Sequence, residues 1–174
     1  HGTELGEVPD VGGWHSLSMY PDARTAAGIV VYRWEAPLFF ANAGQFRNQI
    51  RSIVRHRAPE FIVVQCEAIT DIDVTAAEVL GDLDEELNDA GIHLAFVELR
   101  DRLRTLITSY GLESTLDREH FYPSVDAAVR SLSSEVAGSS GSHSDRDGDP
   151  HVGEQDAGDP EAGDQDEGDQ DGGR

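Results

Sequence analysis

Lysine is absent from this sequence, and all 13 basic residues are arginine. The phosphate-binding loop of P-loop NTPases requires a Gly-Lys-Ser/Thr element, so the composition excludes that class of nucleotide hydrolase. Catalysis through a lysine Schiff base is excluded for the same reason.

Cysteine and long apolar runs are also scarce. Cys66 is the single cysteine, so no intramolecular disulfide can form. It lies in the apolar segment 61–66, where we expect a buried reduced thiol rather than a nucleophile. No stretch approaches the ~18–20 consecutive apolar residues of a membrane helix. The histidines lack the paired spacing of zinc ligands and there is no Gly-x-Ser-x-Gly elbow, so we predict neither a metal site nor an enzyme.

The charge is strongly acidic, because 34 acidic residues against 13 basic ones give a net charge of −21. This argues against nucleic acid or an anionic membrane surface as a partner of the whole chain. Residues 138–174 hold 12 acidic and 2 basic residues, which places −10 there and −11 on residues 1–137. Because Val152 is the only large aliphatic residue of that segment, we predict one compact domain, 1–137, followed by a disordered acidic Gly/Asp-rich tail, 138–174.

Strand and helix patterns alternate along the compact part. Apolar or β-branched runs predict strands at 29–34, 61–66, 92–99 and 121–122, and a short strand is expected near 16–19. Helical periodicity predicts four helices, beginning near Asn42, Thr75, Leu103 and Ser124. This alternation indicates an α/β fold with a mixed sheet of about four to five strands flanked by about four helices.

The segment around Thr75 is the most informative for function. Thr75 and Glu78 have the S/T-x-x-E spacing of a capping box, which predicts that Thr75 begins a helix. That helix follows the apolar strand 61–66, and α/β sheets place ligands or regulatory chemistry beyond the carboxyl ends of their strands. A capping hydroxyl without further function is the alternative.

Three segments resemble a known family: ITDIDVTAAEVL at 69–80, LGEVP at 5–9 and APLFFANA at 36–43. Together with the element order, they resemble the STAS domain of sulfate transporters and anti-sigma factor antagonists, and specifically the transporter branch. The resemblance implies a regulatory and interaction domain on the cytoplasmic side of a SulP-type anion transporter, following its membrane helices. The membrane domain would be its partner, with soluble proteins as further candidates. A fragment of a longer protein, or processing, would explain why the chain begins with His1.

The resemblance leaves one alternative function open. In anti-sigma factor antagonists, the matching turn reads Asp-Ser-Ser-Gly, and its second serine is phosphorylated. Here the turn reads Asp73-Val74-Thr75-Ala76, so Thr75 occupies the phospho-acceptor position. The alternative is therefore a free-standing antagonist regulated by phosphorylation of Thr75, although Val74 and Ala76 depart from that pattern.

The family resemblance also suggests guanine nucleotide binding, with no cofactor otherwise required. A GTP or GDP site would lie where the turns after neighbouring strands meet, with Arg100 available for a phosphate. The predicted nucleotide- or anion-binding residues are Asn42, Asp73, Thr75, Ala76 and Arg100. Because no glycine-rich loop accompanies them, we expect modest affinity.

A basic ridge is predicted on the first long helix. Arg47, Arg51 and Arg55 recur at every fourth position and therefore share one helix face. The ridge could dock an acidic surface, such as the transporter's own loops or the acidic tail. A solvated helix face without a partner is the alternative.

Overall fold

Six strands form one sheet in the computed structural model, which describes residues 1–116 and 118–141. Their order across the sheet is β2-β1-β3-β4-β5-β6. Strands β3 to β6 run parallel, whereas β1 is antiparallel to both of its neighbours. The predicted mixed α/β sheet is confirmed, with more strands than expected. The strands are β1 (Gly2–Glu7), β2 (Trp14–Ser16), β3 (Ile29–Trp34), β4 (Phe61–Gln65), β5 (His93–Val97) and β6 (Phe121–Tyr122).

Within the described residues, four α-helices cover the two faces of the sheet, and all four were predicted. They are α1 (Phe40–Arg57), α2 (Val74–Asp89), α3 (Asp101–Ser109) and α4 (Val125–Gly141). The larger apolar core lies between the sheet and α1, α2 and α3, and the smaller one lies between the sheet and α4. Strand β4 is buried along its whole length because helices cover both of its faces. None of the helices in the described ranges has the length and apolarity needed to cross a bilayer.

The amino-terminal strands differ from the sequence prediction. Strand β1 was not predicted, and β2 begins before the expected segment 16–19. The β1 sequence GTELGE lacks an apolar run, and its strand conformation comes from pairing with both β2 and β3. Gly2 permits a close approach there, since a Cβ atom at this position would clash with the Tyr32 hydroxyl group unless that side chain shifted.

The carboxyl-terminal boundary also requires a correction. Helix α4 continues to Gly141, so residues 138–141 are helical although they were assigned to the disordered tail. The other residues of the predicted tail, 142–174, lie outside the described part of the chain.

Three helices begin at the same end of the sheet. Because β3, β4 and β5 are parallel, the segments that follow them meet along one line, and they lead into α1, α2 and α3. We call the segments 35–40, 66–74 and 98–101 the carboxyl rim. Backbone hydrogen bonds join the first two of these segments. Leu38 N–H donates to the Asp71 carbonyl at 3.0 Å, and Asp73 N–H donates to the Leu38 carbonyl at 3.1 Å.

Candidate functional site

Asp73 is the central residue of the carboxyl rim. It precedes α2 as the N-cap residue, and its Oδ1 accepts a hydrogen bond from Ala76 N–H at 2.8 Å. Its Oδ2 accepts from Phe40 N–H at 2.9 Å, and Phe40 is the first residue of α1. One carboxylate therefore satisfies a free backbone donor at the start of each helix, where negative charge also interacts favourably with both helix dipoles.

Thr75 is not the residue that caps α2. The predicted Thr75–Glu78 capping box is wrong, because α2 begins at Val74 and its N-cap is Asp73. The aspartate is two positions earlier and its carboxylate reaches the backbone donor of Ala76. Thr75 is instead an exposed residue of the first turn. Its hydroxyl is thus accessible at the position predicted for a phospho-acceptor.

Asn42 also lies inside its helix rather than at its cap. Helix α1 begins at Phe40, and Asn42 is its third residue. The Asn42 side-chain oxygen accepts from Phe39 N–H at 2.8 Å, and its amide donates to the Pro37 carbonyl at 2.9 Å. Asn42 therefore closes the start of α1 by reaching back to the preceding turn, as the third residue of a capping box does.

Arg102, a residue that no sequence motif marked, connects the third segment of the carboxyl rim to the second one. Arg102 lies in the first turn of α3, and its Nη2 donates to Asp71 Oδ2 at 2.9 Å. This hydrogen bond is the largest cause that lowers the pKa of the Asp71 carboxyl below its usual range. Arg100, the predicted phosphate ligand, is the exposed N-cap residue of α3.

The predicted nucleotide residues fall into two groups. Asn42, Asp73 and the Ala76 backbone lie at one junction, but their polar groups are engaged with each other or with neighbouring backbone. Thr75 and Arg100 are exposed and available to a ligand. The shared junction follows from parallel strands, whereas its internal hydrogen bonding could not be foreseen from residue types.

The predicted basic ridge on α1 is partly used within the molecule. Arg51 forms a two-pronged ion pair with Glu86 of α2, with Nε–Oε1 and Nη2–Oε2 distances of 3.0 and 2.5 Å. These hydrogen bonds lower the pKa of Glu86 and raise that of Arg51, and Arg47 lowers the pKa of Glu86 further. Arg55 is exposed, so it is the ridge residue most accessible to a partner.

A second polar cluster lies on the α4 face of the sheet, near the strand ends. Gln65 is only 6 % exposed; its Oε1 accepts from Arg33 Nε at 2.6 Å and its Nε2 donates to Glu98 Oε2 at 2.5 Å. Arg33 pairs in register with Thr3, whose hydroxyl lies 2.9 Å from that of Ser16. We call these five residues the polar row. Its members come from separate strands, so no local motif predicted it.

The candidate metal ligands and the single cysteine of the described residues bear on metal and thiol chemistry. Across residues 1–116 and 118–141, no three His, Cys, Asp or Glu side chains are grouped to hold a metal ion. Cys66 is buried as predicted, and burial raises the pKa of its thiol to about 12. The thiol is therefore protonated near neutral pH and is a poor nucleophile.

The chain forms a layered α/β domain in which the exposed candidate residues Thr75 and Arg100 lie at helix N-termini. The family model of the STAS domain matches residues 20–128, more than half of the chain, so the chain belongs to the STAS domain family. The family resemblance noted in the sequence is thereby confirmed.

The similar curated proteins are named as sulfate transporters. A probable sulfate transporter of Mycobacterium tuberculosis is 33% identical over 134 residues, covering 76% of this chain and 24% of the transporter. A probable sulfate transporter of Arabidopsis thaliana is 30% identical over 141 residues, covering 75% of this chain and 21% of that protein. The chain thus spans about a quarter of the length of the relatives it matches.

Solved structures agree with the fold. The murine Solute Carrier 26 family member A9 anion transporter matches with a TM-score of 0.68 at 20% identity, over 78% of this chain and 22% of the transporter. A SulP transporter STAS domain from Vibrio cholerae matches with a TM-score of 0.56 at 20% identity, over 70% of this chain and 94% of that domain. A candidate anti-sigma factor antagonist from Thermotoga maritima matches with a TM-score of 0.53 at 14% identity, over 63% and 91% of the two chains.

Proposed function

We propose that this chain is the regulatory and interaction domain of a SulP-type sulfate or related anion transporter. The observation that supports this most directly is the 33% identity to a transporter of which the chain corresponds to a quarter. The domain would lie on the cytoplasmic side of the membrane, act without catalysis, and hold or release contacts with its own membrane domain.

The complete reading frame and a transport assay test this proposal. We expect predicted membrane spans upstream of His1 and sulfate uptake by the complete gene product in a bacterial strain without its own sulfate transporters. Deleting residues 1–141 should lower uptake several-fold while the membrane part still reaches the membrane, as judged by immunoblot. A start codon near Thr3, or uptake unchanged by the deletion, would contradict the proposal.

Guanine nucleotide binding is a further part of this proposal, and it rests on exposed groups at and beside the carboxyl rim. Thr75 and Arg100 are the predicted residues whose side chains are accessible to a GTP or GDP molecule. The test is a titration of the isotope-labelled chain with GTP, followed by amide chemical shifts. Shift changes at Asn42, Thr75 and Arg100 are expected at millimolar nucleotide, and their absence would remove this element alone.

The alternative function is a free-standing anti-sigma factor antagonist, and the exposure of the Thr75 hydroxyl favours it. A phosphate of about −1.5 to −2 charge at Thr75 would suit a helix N-terminus, but Asp73 already supplies negative charge there. Incubation with cell extract and phosphosite mapping by mass spectrometry tests the alternative. Phosphorylation elsewhere, with Thr75 unmodified, would exclude it.

A further inference from the structure

Exposed apolar side chains gather where α1 and α2 begin. Phe40 is 73% exposed and Val74 is 54% exposed, although both are large hydrophobic residues of a first helical turn. Phe39 precedes Phe40 and is exposed as well. The Phe40–Asp73 hydrogen bond brings the two helix starts together, so these residues are neighbours on the surface. We call Phe39, Phe40 and Val74 the rim patch.

The rim patch continues into a groove between α2 and the segment that follows α3. This groove has a volume of about 330 Å³, and both Val74 and the exposed Tyr110 line it. Its α2 wall also carries Glu78, Asp82 and Glu85, all exposed. Helix α2 contains no arginine or lysine, so no basic residue of that helix neutralises this wall. The surface is therefore apolar at one end and anionic along one side.

We propose that the rim patch and this groove form one docking surface for a basic loop of the transporter's membrane portion. This inference rests on the proposed function. Cytoplasmic loops of membrane proteins carry an excess of lysine and arginine, which complements the acidic wall. The relatives of this chain have about three quarters of their length outside the matched region, which provides such a segment.

A small surface is sufficient for this contact because both parts would belong to one polypeptide. Tethering through a short linker gives an effective concentration in the millimolar range. A dissociation constant of about 1 mM, which is weak by the standards of separate proteins, then gives roughly half occupancy. Occupancy near one half is also the range in which a modest change in affinity alters the bound fraction most.

The test is site-specific photo-cross-linking in the complete transporter. A photoreactive phenylalanine analogue replaces Phe40 or Val74 in two variants. Controls carry it at Met19 or Val11, which are similarly exposed but lie in the turns beside β2. Mass spectrometry should find cross-links from positions 40 and 74 to a lysine- or arginine-bearing loop of the membrane portion, at least threefold above the control positions.

Charge variants test the groove. Glu78→Gln, Asp82→Asn and Glu85→Gln together should reduce the cross-link from position 40 at least threefold. The matched triple variant Asp10→Asn, Asp22→Asn and Glu135→Gln removes the same charge from exposed sites outside the groove and should leave the yield unchanged. Equal thermal unfolding temperatures of both triple variants would show that neither acts through misfolding.

The outcomes separate this inference from the proposed function. Cross-links to the membrane portion from Met19 or Val11, but not from Phe40 or Val74, would overturn the docking surface and leave the proposed function intact. Cross-links from Phe40 to a second copy of the domain or to a soluble protein would overturn the choice of occupant. Equal yields from all positions, no cross-links at all, or equal effects of the two triple variants would also overturn the inference. The uptake assay tests the proposed function independently.

Discussion

At the residue scale, the single carboxylate of Asp73 caps two helices, α1 and α2. A capping side chain typically satisfies donors of its own helix, whereas Asp73 accepts from α2 through one oxygen and from α1 through the other. The sequence identified the right turn but selected Thr75 as the cap. Residue type and spacing describe local bonds, and the bond to Phe40 depends on a strand order that brings a distant helix start beside Asp73.

Replacing Asp73 should therefore destabilise the fold more than replacing Thr75. We expect Asp73→Ala to lower the free energy of unfolding by about 1–2 kcal/mol, since a backbone N–H donor at the start of each of two helices loses its acceptor. Thr75→Ala should change it by less than about 0.5 kcal/mol, because its side chain is exposed. Urea unfolding of both variants gives the comparison. Equal losses would contradict the shared cap and restore a structural role for Thr75.

Backbone strain at Glu98 allows a second test at this scale. Glu98 follows β5 with φ of +58°, in the left-handed region that favours glycine. Its carboxylate accepts from Gln65 in the polar row, so a side-chain contact holds this conformation. No local motif marks the position, so this conformation was not predicted from the sequence.

Two substitutions at Glu98 separate the strain from the lost hydrogen bond. Glu98→Ala and Glu98→Gly both remove the acceptor of Gln65, but only glycine adopts the left-handed conformation without a Cβ clash. We expect Glu98→Gly to be more stable than Glu98→Ala by about 1 kcal/mol in chemical denaturation. If alanine were equally stable or more stable, the backbone at this position would not be strained in solution.

At the scale of elements, the ion pair between Arg51 and Glu86 joins α1 to α2. The sequence predicted both helices from their 3.6-residue period, and it predicted that Arg51 lies on one face of α1 with Arg47 and Arg55. It could not predict that the outer edges of two helices meet, because helix packing depends on contacts between distant segments. Within the predicted arginine ridge, Arg51 is therefore engaged in an internal ion pair, whereas Arg55 is exposed.

The depressed pKa of Glu86 predicts how this pair responds to pH. A carboxyl with a lower pKa in the folded state stabilises the fold above its unfolded pKa, near 4.3, and this contribution is lost as pH falls through the folded value. Glu86→Gln should thus flatten the fall of unfolding free energy between about pH 5 and pH 3. Glu85→Gln, which removes a charge from the groove side of α2, is the control. Similar slopes in the Glu86→Gln variant and the original chain would contradict the ion pair.

At the scale of the whole molecule, the alternation of strands and helices predicted the mixed sheet and the helices that flank it. Strand β1 could not be predicted, because its only buried large residue is Leu5 and its pairing partners lie elsewhere in the chain. The domain was predicted to end at residue 137, whereas α4 continues to Gly141. Residues 138–141 have little apolar character that would mark them as part of a packed helix. Long-range pairing, rather than local pattern, decides the conformation of β1.

The net charge of −21 predicts the effect of salt on stability. Self-repulsion among 34 acidic and 13 basic residues destabilises the compact state, and salt screens it. Raising NaCl from 20 to 300 mM should increase the melting temperature by about 2–4 °C, equivalent to ~1 kcal/mol. The increase should be smaller in the triple variant Asp10→Asn, Asp22→Asn and Glu135→Gln. A lower melting temperature would mean that screening of the ion pairs outweighs the relief of repulsion.

The lengths of the two outermost strands have a consequence for aggregation. Strand β2 has three residues and β6 has two, so neither margin of the sheet offers a long ladder of unpaired backbone groups to another chain. The apolar β4 sequence FIVVQ, which has the composition of a fibril-forming segment, lies at the centre, two strands from one margin. Many copies of this domain can therefore be crowded together with little tendency to polymerise through their sheets, as long as the fold stays closed.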